Sequence, residues 1–295
     1  MARYDYEVYD VFTDRKFAGN QLAVITDARG LSAADMQTIT REFNLSESTF
    51  VLPPEDPANT ARVRIFTLGY EMPFAGHPTV GTAIAVARAR KLSGELRLEL
   101  NAGLFSVRVD LDRPAGFAEF RNPNLPAERG PAPDPALIEA ALSLPAGALD
   151  RRAHRPRLVG AGVNFLYAKA NLEHVRAAKL NSGAFDRLEA DETVGVLLYA
   201  DGGEAADARF HVRMFAPNAG IPEDPATGSA AAALPGQIAL AGGLSDGLDR
   251  WLIEQGFEMG RPSRIHVTVE AKAGAVASVR VGGEAVPVMK GQLDF

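Results

Sequence analysis

Four short stretches hold the polar residues that could do chemistry. Glu47 stands between Ser46 and Ser48 at the entry to Thr49-Phe50-Val51, and His77 sits between Gly76 and Pro78. Asp224 lies in Glu223-Asp224-Pro225, and Ser229 follows Gly228. A carboxyl group and an imidazole are the side chains most readily tuned to move protons near neutral pH. Glycine beside Ser or Thr at a helix start lets an anion approach backbone N–H groups. Gly76-His77-Pro78-Thr79-Val80-Gly81-Thr82-Ala83 can be laid over Glu223-Asp224-Pro225-Ala226-Thr227-Gly228-Ser229-Ala230, which matches Pro, Gly and Ala and places His77 opposite Asp224. Arg64-Ile65-Phe66-Thr67 and Arg213-Met214-Phe215-Ala216 precede the two copies, so the pattern implies a duplicated half. Two such helix starts would suit a carboxylate or a developing enolate. The competing reading is that both turns only cap helices and that Glu47 faces solvent.

The elements expected to hold these residues alternate between strand and helix. Strands are predicted around Tyr6–Phe12, at Leu22–Thr26, Ser48–Leu52, Ala61–Thr67, Glu95–Leu100 and Phe105–Leu111. Ser32 and Asp35 mark a helix start running to about Phe43, and Thr79–Lys91 reads as a helix of small and apolar residues. Five prolines between Arg121 and Pro135 suggest a boundary, after which Asp134-Pro135 opens another helix. Strands at Asn164–Lys169, Val194–Tyr199, Arg209–Phe215, Arg264–Glu270, Val276–Val281 and Ala285–Met289 follow, with helices at Leu172–Lys179 and Thr227–Leu240. Pro235 is expected to kink or end the last of these helices.

Composition removes several classes of function. The 295 residues are 46% hydrophobic and 23% charged, enough for two domains with ordinary cores. No cysteine is present, which excludes thiol catalysis, thiolate-bound zinc and disulfides. The net charge of −6 gives no global pull toward nucleic acid. Arg151, Arg152, Arg155 and Arg157 form a basic group that reads as a solvated loop, and the five histidines lack metal-ligand spacing. Leu158-Val159-Gly160-Ala161-Gly162 imitates a dinucleotide fingerprint but has Phe165 at the third glycine. The uncharged run from Pro225 to Ser245 is too rich in Ala and Gly for a membrane span, so a cytoplasmic protein is expected.

Phe17-Ala18-Gly19-Asn20, Asn44-Leu45-Ser46-Glu47, Phe74-Ala75-Gly76-His77-Pro78-Thr79 and Glu223-Asp224-Pro225-Ala226-Thr227-Gly228-Ser229 occur in an order that resembles the PhzF-like phenazine-biosynthesis isomerases. Gln255-Gly256 and Met259-Gly260-Arg261-Pro262-Ser263 extend the resemblance nearly to the end of the chain. It implies an α+β fold of the diaminopimelate epimerase type: two pseudo-symmetric halves, each a β-barrel-like sheet wrapped around a central helix. The halves would be 1–120, completed by 284–295, and 130–282. It further implies Glu47, His77 and Asp224 as catalytic residues, and Ser229, Gly76, Gly228 and Asn20 as substrate-binding residues. No cofactor or metal is expected. The implied function is proton transfer on a small carboxylate-bearing metabolite by a homodimer with no nucleic-acid or membrane partner. A two-base epimerase on the same fold and a non-catalytic binder are the alternatives.

Overall fold

The computed structural model describes residues 2–188 and 193–295. The chain divides into one unit of Met1–Arg121 with Gly282–Phe295 and a second of Asn122–Val281. In the first unit the elements run β1 (Arg3–Val11), β2 (Asn20–Ile25), α1 (Ala33–Phe43), β3 (Glu47–Leu52), β4 (Ala61–Thr67), β5 (Glu71–Met72), α2 (Gly76–Arg90), β6 (Gly94–Leu100), β7 (Gly103–Asp110) and β8 (Phe117–Arg121). The second contains β9 (Ala127–Gly130), α3 (Pro135–Ala141), β10 (Arg157–Gly160), β11 (Asn164–Lys169), α4 (Leu172–Ala177), α5 (Ser182–Phe185), β12 (Thr193–Asp201), β13 (Ala208–Ala216), β14 (Ile221–Asp224), α6 (Gly228–Leu240), β15 (Gly247–Gln255) and β16 (Ser263–Lys272). The last strand, β17 (Ala275–Asp294), passes from the second unit into the first.

Both units repeat one pairing scheme. In the first, β1–β2 is antiparallel, β2–β3 parallel, β3–β4 and β4–β5 antiparallel, β4–β6 parallel and β6–β7 antiparallel. The sequence β10–β11, β11–β12, β12–β13, β13–β14, β13–β15, β15–β16 has the same order of directions. In the first unit β17 pairs with both β1 and β8, which closes eight strands into a barrel. The fold is therefore α+β and pseudo-symmetric, with one small-residue helix enclosed by each sheet.

Those helices owe their burial to their composition. Twelve of the fifteen residues of α2 and ten of the thirteen of α6 are buried, and neither has a polar face to offer solvent. Helix α2 packs against β1, β2, β3, β6, β7 and β8, and α6 against β9, β10, β11 and β16. A Cβ at Gly81 would come within 2.7 Å of Leu22 and Val11, so glycine is what lets α2 lie on β1 and β2. Outside the first barrel, α1 covers Ile25, Phe50 and Phe66 with Met36 and Ile39. Its start is the expected capping box between Ser32 and Asp35.

Several expectations are corrected. Helix α6 runs on through Pro235 to Leu240 rather than ending there. Beside the proline, a Cβ at Gly236 would come within 2.7 Å of Pro126 and 3.0 Å of Val159, so glycine is what lets this turn of the helix lie against them. Strands β5, β8, β9, β10, β14 and β15 are additional to those expected, and β9 lies inside the proline-rich stretch at whose start, between Arg121 and Asn122, the two units divide. Arg157 is no solvated loop residue. It is 5% exposed in β10 and donates to the carbonyls of Ala153 and Leu240 and to Gln237 Oε1. The duplication also takes a different register. Arg64 pairs bidentately with Glu71, and Arg213 with Glu223, and each guanidinium lies over the phenylalanine two residues on. Because α2 starts at Gly76 and α6 at Gly228, Glu71-Met72-Pro73-Phe74-Ala75-Gly76-His77 corresponds to Glu223-Asp224-Pro225-Ala226-Thr227-Gly228-Ser229. His77 thus matches Ser229, not Asp224. Among the described residues no helix is long and apolar enough to cross a membrane.

Candidate active site

Strand periodicity brings Glu47 to the helix. Thr49 Oγ1 accepts from Thr82 Oγ1 of α2 at 2.8 Å, so the odd-numbered side chains of β3 face α2 while Phe50 faces α1. Glu47, first in β3, shares the face of Thr49. On β2 the neighbour of Gly81 is Leu22, which puts Asn20 on the side facing α2 as well. His77 occupies the second position of α2. These placements bring three of the expected residues together.

Glu47 Oε2 lies 3.5 Å from His77 Nε2, with the two side chains only 12% and 5% exposed. Asn20, 2% exposed, directs Nδ2 at His77 Nδ1 at 3.3 Å, and Ser46 Oγ donates to Asn20 Oδ1 at 3.4 Å. An amide nitrogen only donates, so Nδ1 accepts and a neutral ring carries its proton on Nε2, toward Glu47. Burial lifts the Glu47 carboxyl from 4.5 to about 7, with the Ser46 hydroxyl pulling weakly the other way. Glu47 Oε2 accepts no hydrogen bond among the described residues. A carboxyl poised near neutrality with one oxygen uncommitted suits a group that takes and returns a proton.

The second unit assembles a group of its own. Asp224 closes β14 and is 8% exposed, and Thr227 Oγ1 donates to its Oδ2 at 2.5 Å. Gln255, at the end of β15, accepts from Thr227 N–H at 3.0 Å and donates to the Asp224 carbonyl at 2.7 Å. Ser263 Oγ donates to the Pro225 carbonyl at 2.8 Å. Gly256 has φ +77°, and a Cβ there would stand 2.6 Å from that same carbonyl. Gln255, Gly256 and Ser263, for which the sequence suggested no individual role, clamp the Asp224–Thr227 loop. Gly228 and Ser229 form the first turn of α6.

The structure also decides against simple capping. Ser32, Asp134, Asn171 and Asn181 cap α1, α3, α4 and α5 with their side chains. Neither Ala75 at the start of α2 nor Thr227 at the start of α6 supplies a side-chain cap. The N-cap residues of the two glycine-entered helices thus leave their first-turn N–H groups without a side-chain cap of their own, a setting that suits an anion. Asn20 is placed behind His77, where it holds the ring. Among the described residues no His, Asp and Glu cluster has the geometry of a metal site.

The chain as a whole is similar to known proteins. The family model for phenazine biosynthesis-like proteins (PhzC-PhzF) matches residues 9–291. An uncharacterised isomerase of Mesorhizobium japonicum is 44% identical over 99% of this chain and 99% of its own length. The trans-2,3-dihydro-3-hydroxyanthranilate isomerase of Pseudomonas chlororaphis is 33% identical over 98% of this chain and 99% of its own. Among solved structures, a phenazine biosynthesis protein of the PhzF family from Bacillus anthracis superposes with a TM-score of 0.90 at 25% identity, covering 100% of both chains. The fold, the ordered motifs and these likenesses agree: the chain belongs to the phenazine biosynthesis-like protein family and is a PhzF-type isomerase.

Proposed function

We propose that this isomerase moves a proton between two carbons of a small carboxylate-bearing metabolite without a cofactor, and that trans-2,3-dihydro-3-hydroxyanthranilate is the first substrate to test. The observation that carries the reading is the buried Glu47 carboxyl, held beside His77 with one oxygen uncommitted. In the reaction the ionised carboxylate takes a proton from carbon, breaking one C–H bond. The electron pair passes into the conjugated system, and the carboxylic acid returns the proton to a second carbon. Atoms and charge balance without an oxidant, reductant or added group. The Ser229 hydroxyl and the first-turn N–H groups of α6 hold the substrate carboxylate, while His77 and Asp224 orient the substrate. Asn20 acts through His77.

A single carboxyl base is favoured over a two-base epimerase by an asymmetry between the units. Ser48 pairs with Phe66 and Val196 with Phe215, so Gly195 is the counterpart of Glu47. A Cβ at Gly195 would meet the Phe215 carbonyl at 2.2 Å, which leaves no room for a second acid at the position equivalent to Glu47. The test is conversion of the named substrate in deuterated water, followed by mass spectrometry and NMR. The native protein should place deuterium on product carbon, and Glu47→Gln should turn over at least about 100-fold more slowly. Full activity in Glu47→Gln would refute the assignment, and absence of conversion by the native protein would exclude this substrate.

A further inference from the structure

Thr227 stands at the N-cap of α6, yet its hydroxyl is used in the opposite sense from a cap. An N-cap hydroxyl ordinarily accepts from the N–H of the second or third helical residue, here Ser229 or Ala230. Instead Thr227 Oγ1 donates to Asp224 Oδ2 at 2.5 Å and accepts from Gln255 Nε2 at 3.0 Å. Gln255 is 1% exposed, and its amide is spent on this one loop, through Thr227 N–H, Thr227 Oγ1 and the Asp224 carbonyl. The turn after it is fixed as tightly. The 2.6 Å approach that a Cβ at Gly256 would make to Pro225, and the Ser263 hydrogen bond to the same carbonyl, leave the brace little freedom to follow a moving loop.

We infer that Gln255 is a positioning residue that diverts the Thr227 hydroxyl from the helix start. It thereby keeps the first turn of α6 open for the substrate carboxylate and aims Asp224. The inference rests on reading that helix start as the carboxylate site. It explains why a residue well suited to capping leaves its own helix uncapped, when Ser32, Asp134, Asn171 and Asn181 all cap theirs. In Gln255→Leu the hydroxyl loses the donor that holds it away and can turn to Ser229 or Ala230 N–H. The protein then caps its own binding site.

Amide hydrogen exchange read by NMR tests this without any ligand. Exchange at Ser229 and Ala230 should slow at least threefold in Gln255→Leu relative to the native protein. It should return to the native rate in the double variant Gln255→Leu/Thr227→Ala, which has no hydroxyl to cap with. Calorimetric titration with anthranilate, a carboxylate probe that cannot isomerise, should show about tenfold weaker binding in Gln255→Leu. The double variant should recover at least threefold of that loss, an outcome that a purely structural role for Gln255 does not produce. Gln255→Asn, too short to reach the loop, repeats the test if the leucine variant fails to fold. Unchanged or faster exchange in the single variants, or a double variant that binds more weakly than either, would overturn the inference. Slowed exchange in a protein whose native form binds no anthranilate would uphold the diverted cap and refute the carboxylate-site reading instead.

Discussion

Replacing Glu47 by Gln should stabilise the protein while disabling it, and the pH at which the stabilisation appears can be worked out. Each factor of ten in acidity is worth about 1.4 kcal/mol. A rise in the Glu47 pKa from 4.5 to about 7 therefore penalises the ionised side chain in the folded protein by about 3 kcal/mol. The folded state binds this proton more tightly than the unfolded chain. The stability it contributes is full below pH 4.5 and is lost as pH rises through about 7. Glutamine is neutral throughout and escapes the loss. Urea unfolding of the two proteins should show a gap in favour of Glu47→Gln that is small near pH 5 and approaches about 3 kcal/mol above pH 8. Turnover should behave oppositely. In the native protein kcat/KM should rise with pH to a plateau above about pH 7, because only the ionised carboxylate accepts the proton from carbon. Disappearance of the inflection from the residual rate of Glu47→Gln assigns it to the carboxyl. A stability gap that stays constant from pH 5 to pH 8.5 would show that Glu47 is not held above its ordinary range, and the mechanism would lose its base.

Three further outcomes are expected. Ser229→Ala should weaken carboxylate binding by about 1–3 kcal/mol in a calorimetric titration with little change in melting temperature, since the residue is only half-buried and the helix start is otherwise intact. If the Asn20 amide works by setting the tautomer of His77, as proposed, Asn20→Leu should lower kcat about tenfold at a KM within about threefold of the native value. Gly195→Ala should cost about 1–3 kcal/mol in urea unfolding, since its Cβ would collide with the Phe215 carbonyl at 2.2 Å; a native-like value would break the correspondence between Gly195 and Glu47.

Local chemistry was legible in the chain by itself. The Ser32–Asp35 capping box, the Asp134-Pro135 helix start and the Asn164–Lys169 strand depend on neighbours a few residues apart, and each forms where expected. So does the small-residue character of α2 and α6, whose uniform composition requires enclosure on all sides. The ordered stretches around Glu47, His77, Asp224 and Ser229 were equally visible, because residue type alone marks them. Their arrangement was not. Matching Gly81 to Gly228 fits the letters well, and only the positions where α2 and α6 begin, with the paired Arg64–Glu71 and Arg213–Glu223 bridges, move the match to Gly76. Arg157 looked like one of four loop arginines until β10 and Gln237, 80 residues away in sequence, enclosed it. The contact between Asn20 and His77, 57 residues apart in sequence, was likewise invisible in the chain. Glu47 read locally as an ordinary surface glutamate between two serines. Only the packing of β3 against the buried start of α2 removes its water, and desolvation, a property of everything around a carboxyl rather than of its neighbours in sequence, is what turns it into an acid near pH 7.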